Sequence, residues 1–126
     1  MVIQRYFSEI KQALDRYAIL QFVLETNVDF ELRPGDQGYL HGSVHFVDGS
    51  ILHFKEFLDG IDDTVNKVTY SYHYQAANTN LIFRYDNAAH KPALPYREHR
   101  HAPQQILPSQ APALVDVLTE IFGIQS

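Results

Sequence analysis

The sequence predicts one α+β domain over residues 1–126: an antiparallel five-stranded meander sheet packed on N- and C-terminal helices. Three observations predict it. Apolar residues near the N-terminus recur every three or four positions, and from Leu20 the period falls to two. The alternating stretches are joined by connections too short for the crossover helix that parallel strands require. A helical period returns only near the C-terminus, so two terminal helices are the available cover for the apolar face of the sheet.

Over residues 2–16, Ile3, Tyr6, Phe7, Ile10 and Leu14 share one helical face, and Arg5, Glu9, Gln12 and Arg16 share the other. From Leu20, Phe22, Leu24, Val28, Phe30 and Leu32 alternate with Glu25, Asn27, Asp29, Glu31 and Arg33, the pattern of a long strand with one buried face. Arg33-Pro34-Gly35-Asp36 supplies a turn. A second strand, Tyr39 to Val47, buries Leu40, Val44 and Phe46. Asp48-Gly49 is a two-residue hairpin signal leading to a third strand, Ile51 to Leu58. An acidic connection (Asp59, Asp62, Asp63) precedes a fourth strand, Val65 to Gln75, and Ala77-Asn78-Thr79-Asn80 turns the chain into a fifth, Leu81 to Asn87. Residues 88–108, with Pro92, Pro95, Pro103 and Pro108, show neither period and read as a long connection of the functional or disordered kind. Ser109 has the chemistry of a helix N-cap for a helix over 110–122, with Leu114, Val115, Leu118, Ile121 and Phe122 as its stripe and Gly123 as its stop.

Composition narrows the function. An apolar content of 45% is that of a globular chain, and no apolar run nears the roughly 18 residues of a membrane span. With no cysteine, disulfides, thiolate metal sites and a cysteine nucleophile are excluded, and a cytoplasmic location is expected. The net charge of -5 is uneven: residues 1–63 carry eleven acids against five bases, residues 64–126 four acids against five bases. An acidic body speaks against nonspecific binding to duplex DNA, while the Arg, Lys and His residues between Arg84 and His101 have the charge to hold one or two phosphates.

Period-two counting places His41 and His45, His53 and His73 on the polar side of one sheet. Glu56 alternates with Leu52, Phe54 and Leu58, so it points into the apolar layer and needs a cation or donors there; Arg84 or His73 is the expected partner. Arg84 and Asp86 share a face of the fifth strand, Asn87 follows, and His90 lies just beyond. His99 and His101 share a face if that segment is extended, a spacing that suits two ligands of one metal or an acid–base pair across a phosphodiester. Whether a metal binds is left open at this point. No cofactor is expected, because the chain has no Walker loop, nucleophile elbow, His-Glu-x-x-His or dinucleotide fingerprint. Tyr70, Tyr72 and Tyr74 line one strand face, where core packing is the default role.

These residues resemble the TumE-type family of bacterial toxins, small components encoded beside a helix-turn-helix antitoxin. The resemblance is carried by Glu56 in His-Phe-Lys-Glu-Phe-Leu-Asp, by Tyr72-His73-Tyr74, by Phe83-Arg84-Tyr85-Asp86-Asn87 with His90 three residues on, and by the run from Pro95 to His101. It covers most of residues 50–110. Where relatives are expected to read more like Pro-His-His-Lys-His, this chain has Pro95-Tyr96-Arg97-Glu98-His99-Arg100-His101, keeping two histidines and inserting Glu98. The resemblance implies a toxin component of a toxin–antitoxin pair, with a helix-turn-helix antitoxin as partner and RNA as a substrate for some members.

Two functional classes follow. In the first, the protein is a metal-independent endoribonuclease: His73, Arg84, His90, His99 and His101 form the catalytic constellation, supported by Glu56, Asp86 and Asn87. In the second, the same residues form a structural polar network in a non-catalytic protein-binding module. The single-site arrangement requires the segment from His90 to His101 to fold back toward Arg84 or His73. A small sheet with free edges and a polar face is also expected to pair as a homodimer.

Overall fold

The computed structural model describes residues 2–88 and 96–126. Helix α1 (Val2–Tyr17) leads into strands β1 (Val23–Arg33), β2 (Gln37–Phe46), β3 (Ile51–Ile61), β4 (Thr64–Gln75), β5 (Leu81–Asp86), β6 (His99–Ala102) and β7 (Gln105–Pro108), and helix α2 (Leu114–Gln125) closes the chain. The strands form one antiparallel sheet in simple sequence order from β1 to β7. Among the described residues the α+β meander therefore has seven strands, not the expected five. The two additional strands lie within the stretch that shows neither period. Each has four residues, and β6 carries His99 and His101 on one face and Arg100 on the other, so no apolar alternation betrays it.

Both helices cover one face. Ile3, Phe7, Ile10 and Leu14 of α1, with Leu114, Val117, Leu118 and Ile121 of α2, form one cluster with Leu40, Val44, Leu52, Phe54, Tyr72, Tyr74 and Phe83 from the sheet. Burying that many large side chains at roughly 1.5–3 kcal/mol each is the main force holding the layers together. Turn chemistry sets the register. Gly49 takes φ +88° while an Asp48 carboxylate oxygen accepts from the Ser50 amide at 3.0 Å. The β3–β4 hairpin is tighter than the sequence suggests: Asp62 and Asp63 both sit at positive φ, 48° and 65°, as a two-residue primed turn requires. The strands consequently run on to Ile61 and begin at Thr64.

Several local expectations are corrected; among them Leu32, Val115 and Phe122, expected on apolar faces, are 53%, 51% and 45% exposed at the ends or flanks of their elements. Helix α2 starts at Leu114, with the Asp116 carboxylate accepting from the Ala113 amide at 2.9 Å, so Ser109 is not its cap; the helix also runs through Gly123. A bulge between Val23 and Glu25 tips Leu24 outward, leaving it 69% exposed rather than on the buried face. Glu56 is completely buried as expected, but its partners are neither Arg84 nor His73, which lie across the sheet. Tyr6 donates to it at 2.6 Å, Tyr72 donates to its other oxygen, and the Lys67 ammonium stands 3.9 Å away. A second bulge, where the pairing of Phe57 with Thr69 steps to that of Leu58 with Lys67, shifts the phase of β4 and turns Lys67 inward.

Candidate functional site

The face away from the helices is polar across five strands. Register places Ser43, His53, His73, Arg84 and His101 in one cross-strand row, and His41, Lys55, Ser71, Asp86 and His99 in the next. A groove of about 420 Å³ opens on this face, lined among others by Tyr39, His41, His53, Lys55, His73 and Arg84. His53 and His73 sit with ring centroids 6.5 Å apart, and Arg84 is the next residue in the row. Burial holds the His73 imidazole below its usual pKa of 6.5, the Arg84 and His53 charges push the same way, and Gln75 opposes them. Its Nδ1 is shut off from solvent and makes no hydrogen bond among the described residues.

At the end of β5 the chemistry is denser. Arg84 Nε donates to Asp86 Oδ2 at 2.5 Å, an arrangement that fixes the guanidinium two residues along the same strand face. The other Asp86 oxygen lies 2.5 Å from His99 Nε2 and 3.8 Å from His101 Nε2, and it accepts from the Ala88 amide at 3.3 Å. Asp86 and His99 are 3% and 1% exposed, so this cluster forms the floor of the site rather than its mouth. Asn87 works on the backbone: its oxygen accepts from the Tyr70 amide at 3.1 Å and its amide donates to the Val68 carbonyl at 3.0 Å, replacing ladder bonds where β4 is bulged. Glu98 accepts a hydrogen bond from Tyr70, whose hydroxyl is pushed up first by burial and then by that carboxylate.

The structure thus brings His73, Arg84 and His101 into one row with Asp86 and His99 beside them. Glu56 lies in the core under the opposite face. His90 lies outside the described residues. His53, His41 and Lys55 also line the groove; the polar face is readable in the sequence, but which residues stand side by side depends on register.

A sheet with helices on one side and a histidine- and arginine-lined groove on the other defines a small α+β protein with a polar, open sheet face. The chain belongs to the TumE toxin family: a family model described as Toxin TumE matches residues 10–125. It is on that ground the toxin component of a toxin–antitoxin pair, and membership implies an antitoxin as its partner. Comparison with curated proteins gave no match, and comparison with solved structures gave none. No helix among the described residues is long and apolar enough to cross a membrane.

Proposed function

We propose that this toxin cleaves RNA on its open face by metal-independent transesterification. The observation that carries the reading is the row of His53, His73, Arg84 and His101 on four adjacent strands, on the face that neither helix covers. A phosphodiester laid across the row meets two imidazoles and a fixed guanidinium. His73, kept neutral by its surroundings, takes the proton of the 2′-OH as that oxygen attacks phosphorus. The bond from phosphorus to the 5′ oxygen breaks, and His53 delivers a proton to the departing oxygen. Arg84 stabilises the pentacoordinate phosphate. Asp86, His99 and His101 act as positioning residues for that guanidinium, since His99 is too deeply buried to touch a polymer. Asn87 and Glu56 support the scaffold.

The test is growth inhibition in cells lacking the antitoxin. His73→Ala and Arg84→Ala should each abolish it while the proteins still fold and bind antitoxin. Toxicity that survives both substitutions favours the binding-module reading. A helix-turn-helix antitoxin as cognate partner and a homodimer formed through the outer edge of β1, where Leu24 and Leu32 are 69% and 53% exposed, complete the proposal. Sedimentation showing only the 14.5 kDa monomer at micromolar concentration would remove the dimer.

A further inference from the structure

We propose that Asp86, His99 and His101 form a binding site for one divalent transition-metal ion, with Zn²⁺ the best match to the donor set. One oxygen or nitrogen from each residue lies within 4.8 Å of the other two. The positions are set by the sheet, because Asp86 ends β5, His99 begins β6, and the two are register partners. The site needs no loop closure to assemble.

His99 Nδ1 lies 2.7 Å from the Arg97 carbonyl oxygen, which has lone pairs and no hydrogen, so Nδ1 is the donor. His99 Nε2 is thereby turned toward Asp86 Oδ1, 2.5 Å away. His101 Nε2 approaches the same oxygen at 3.8 Å. A single metal ion between these atoms would engage all three groups together. The carbonyl bond at Nδ1 is also the outer contact that metal-ligating histidines make, fixing the tautomer and the ring orientation.

Size and charge fit Zn²⁺. Zn–N and Zn–O bonds of about 2.0–2.2 Å place tetrahedral ligands roughly 3.3–3.5 Å apart, which these side chains reach by shifts on the order of an ångström. Two imidazoles and a carboxylate leave the fourth position to solvent, as in other three-ligand zinc sites. Arg84, bonded to the second Asp86 oxygen at 2.5 Å, orients the carboxylate but repels another cation, so the expected affinity is on the order of micromolar rather than nanomolar. The ion sits at the floor of the site and clamps β6 to β5, so the inference goes beyond the cleavage reading and stands without it.

The test uses the full chain, stripped with chelator and titrated with Zn²⁺ alone by calorimetry, then with Co²⁺ read by its ligand-field absorption. One Zn²⁺ should bind per chain, and Co²⁺ should give the intense visible bands of a four-coordinate ion. His99→Ala and His101→Ala should each weaken Zn²⁺ binding at least about tenfold, while His45→Ala, on the same face but away from the cluster, should leave it unchanged. The partly exposed position of His101 keeps its variant informative if His99→Ala fails to fold. Wild-type binding no tighter than that of the His101→Ala protein would overturn the site and leave a structural polar contact between His99 and Asp86 in its place. RNA is absent from the assay, so its outcome is independent of whether the toxin is a nuclease.

Discussion

The Lys67 ammonium stands 3.9 Å from a carboxylate oxygen of Glu56, a side chain wholly removed from water. Tyr72 links them: it donates to Glu56 and accepts from Lys67 at 2.5 Å, while Lys67 also donates to the Pro112 carbonyl at 2.5 Å. With Tyr6 reaching in from α1, the network ties α1, β3, β4 and the segment before α2. Removing one partner of a buried ion pair leaves the other charge uncompensated, which costs more than the pair is worth. Lys67→Met should lower unfolding free energy by about 3 kcal/mol, and adding Glu56→Gln should recover a large part of it. Urea denaturation measures both; a Lys67→Met loss below about 0.5 kcal/mol would contradict the role assigned to the pair.

That network also shows where sequence reasoning stops. The inward aim of Glu56 was legible, because Leu52, Phe54 and Leu58 share its parity. Its cation was not, since Lys67 reaches the core only through the bulge in β4, and a bulge changes parity without a sequence mark of its own. The helix at the N-terminus and strands β1 to β5 were readable from period and turn residues, within a few positions. Strands β6 and β7 were not: Arg100 occupies the helix-side face of β6, where it lies over the Phe83 ring at 5.1 Å and pairs with Glu120 at 2.9 Å. A cation that packs as an apolar residue would erases the alternation. For the site, the polar face could be counted out residue by residue, but the pairing of His53 with His73, and the burial of His99, depend on register and on neighbouring strands.

The titration of His73 tests the electrostatics of the groove. Burial, then Arg84, then His53 hold it below 6.5, so its folded value is depressed relative to the unfolded chain. A depressed value means stability that is present above pH 6.5 and lost as pH falls through the folded pKa. Activity should follow the same sign, with the acid limb of kcat/KM below pH 6.5. Following the His73 ring signals by NMR should show a midpoint under 6.5 that rises in Arg84→Ala. A wild-type midpoint at or above 6.5 would refute the neutral-base assignment.

Asn87 makes a stability prediction independent of function. Its side chain satisfies the Tyr70 amide and the Val68 carbonyl, groups that β5 no longer reaches. Asn87→Ala should cost about 2 kcal/mol, chiefly the penalty for leaving the buried Tyr70 amide without its partner, since the Val68 carbonyl keeps the Arg97 guanidinium as a donor. Thermal unfolding reads the effect, and a change within about 0.5 kcal/mol would mean that water replaces the side chain without loss.

Lys55 is exposed in the groove and lies one row from the proposed reacting groups. Lys55→Ala should raise KM for RNA while leaving kcat within about twofold, and should flatten the salt dependence of binding by about one charge. An equal fall in kcat would mean that Lys55 acts in the transition state instead.

Incubating the purified protein with a single-stranded RNA, in parallel with and without chelator, addresses the central claim most directly, with the all-deoxy strand of the same sequence as its control. The open face of His53, His73 and Arg84 predicts RNA cut to fragments ending in 2′,3′-cyclic phosphate, no cleavage of the deoxy strand, and loss of at least about a hundredfold in rate for His73→Ala. Wild-type protein that leaves the RNA as intact as His73→Ala does, while still arresting growth in cells, would contradict it.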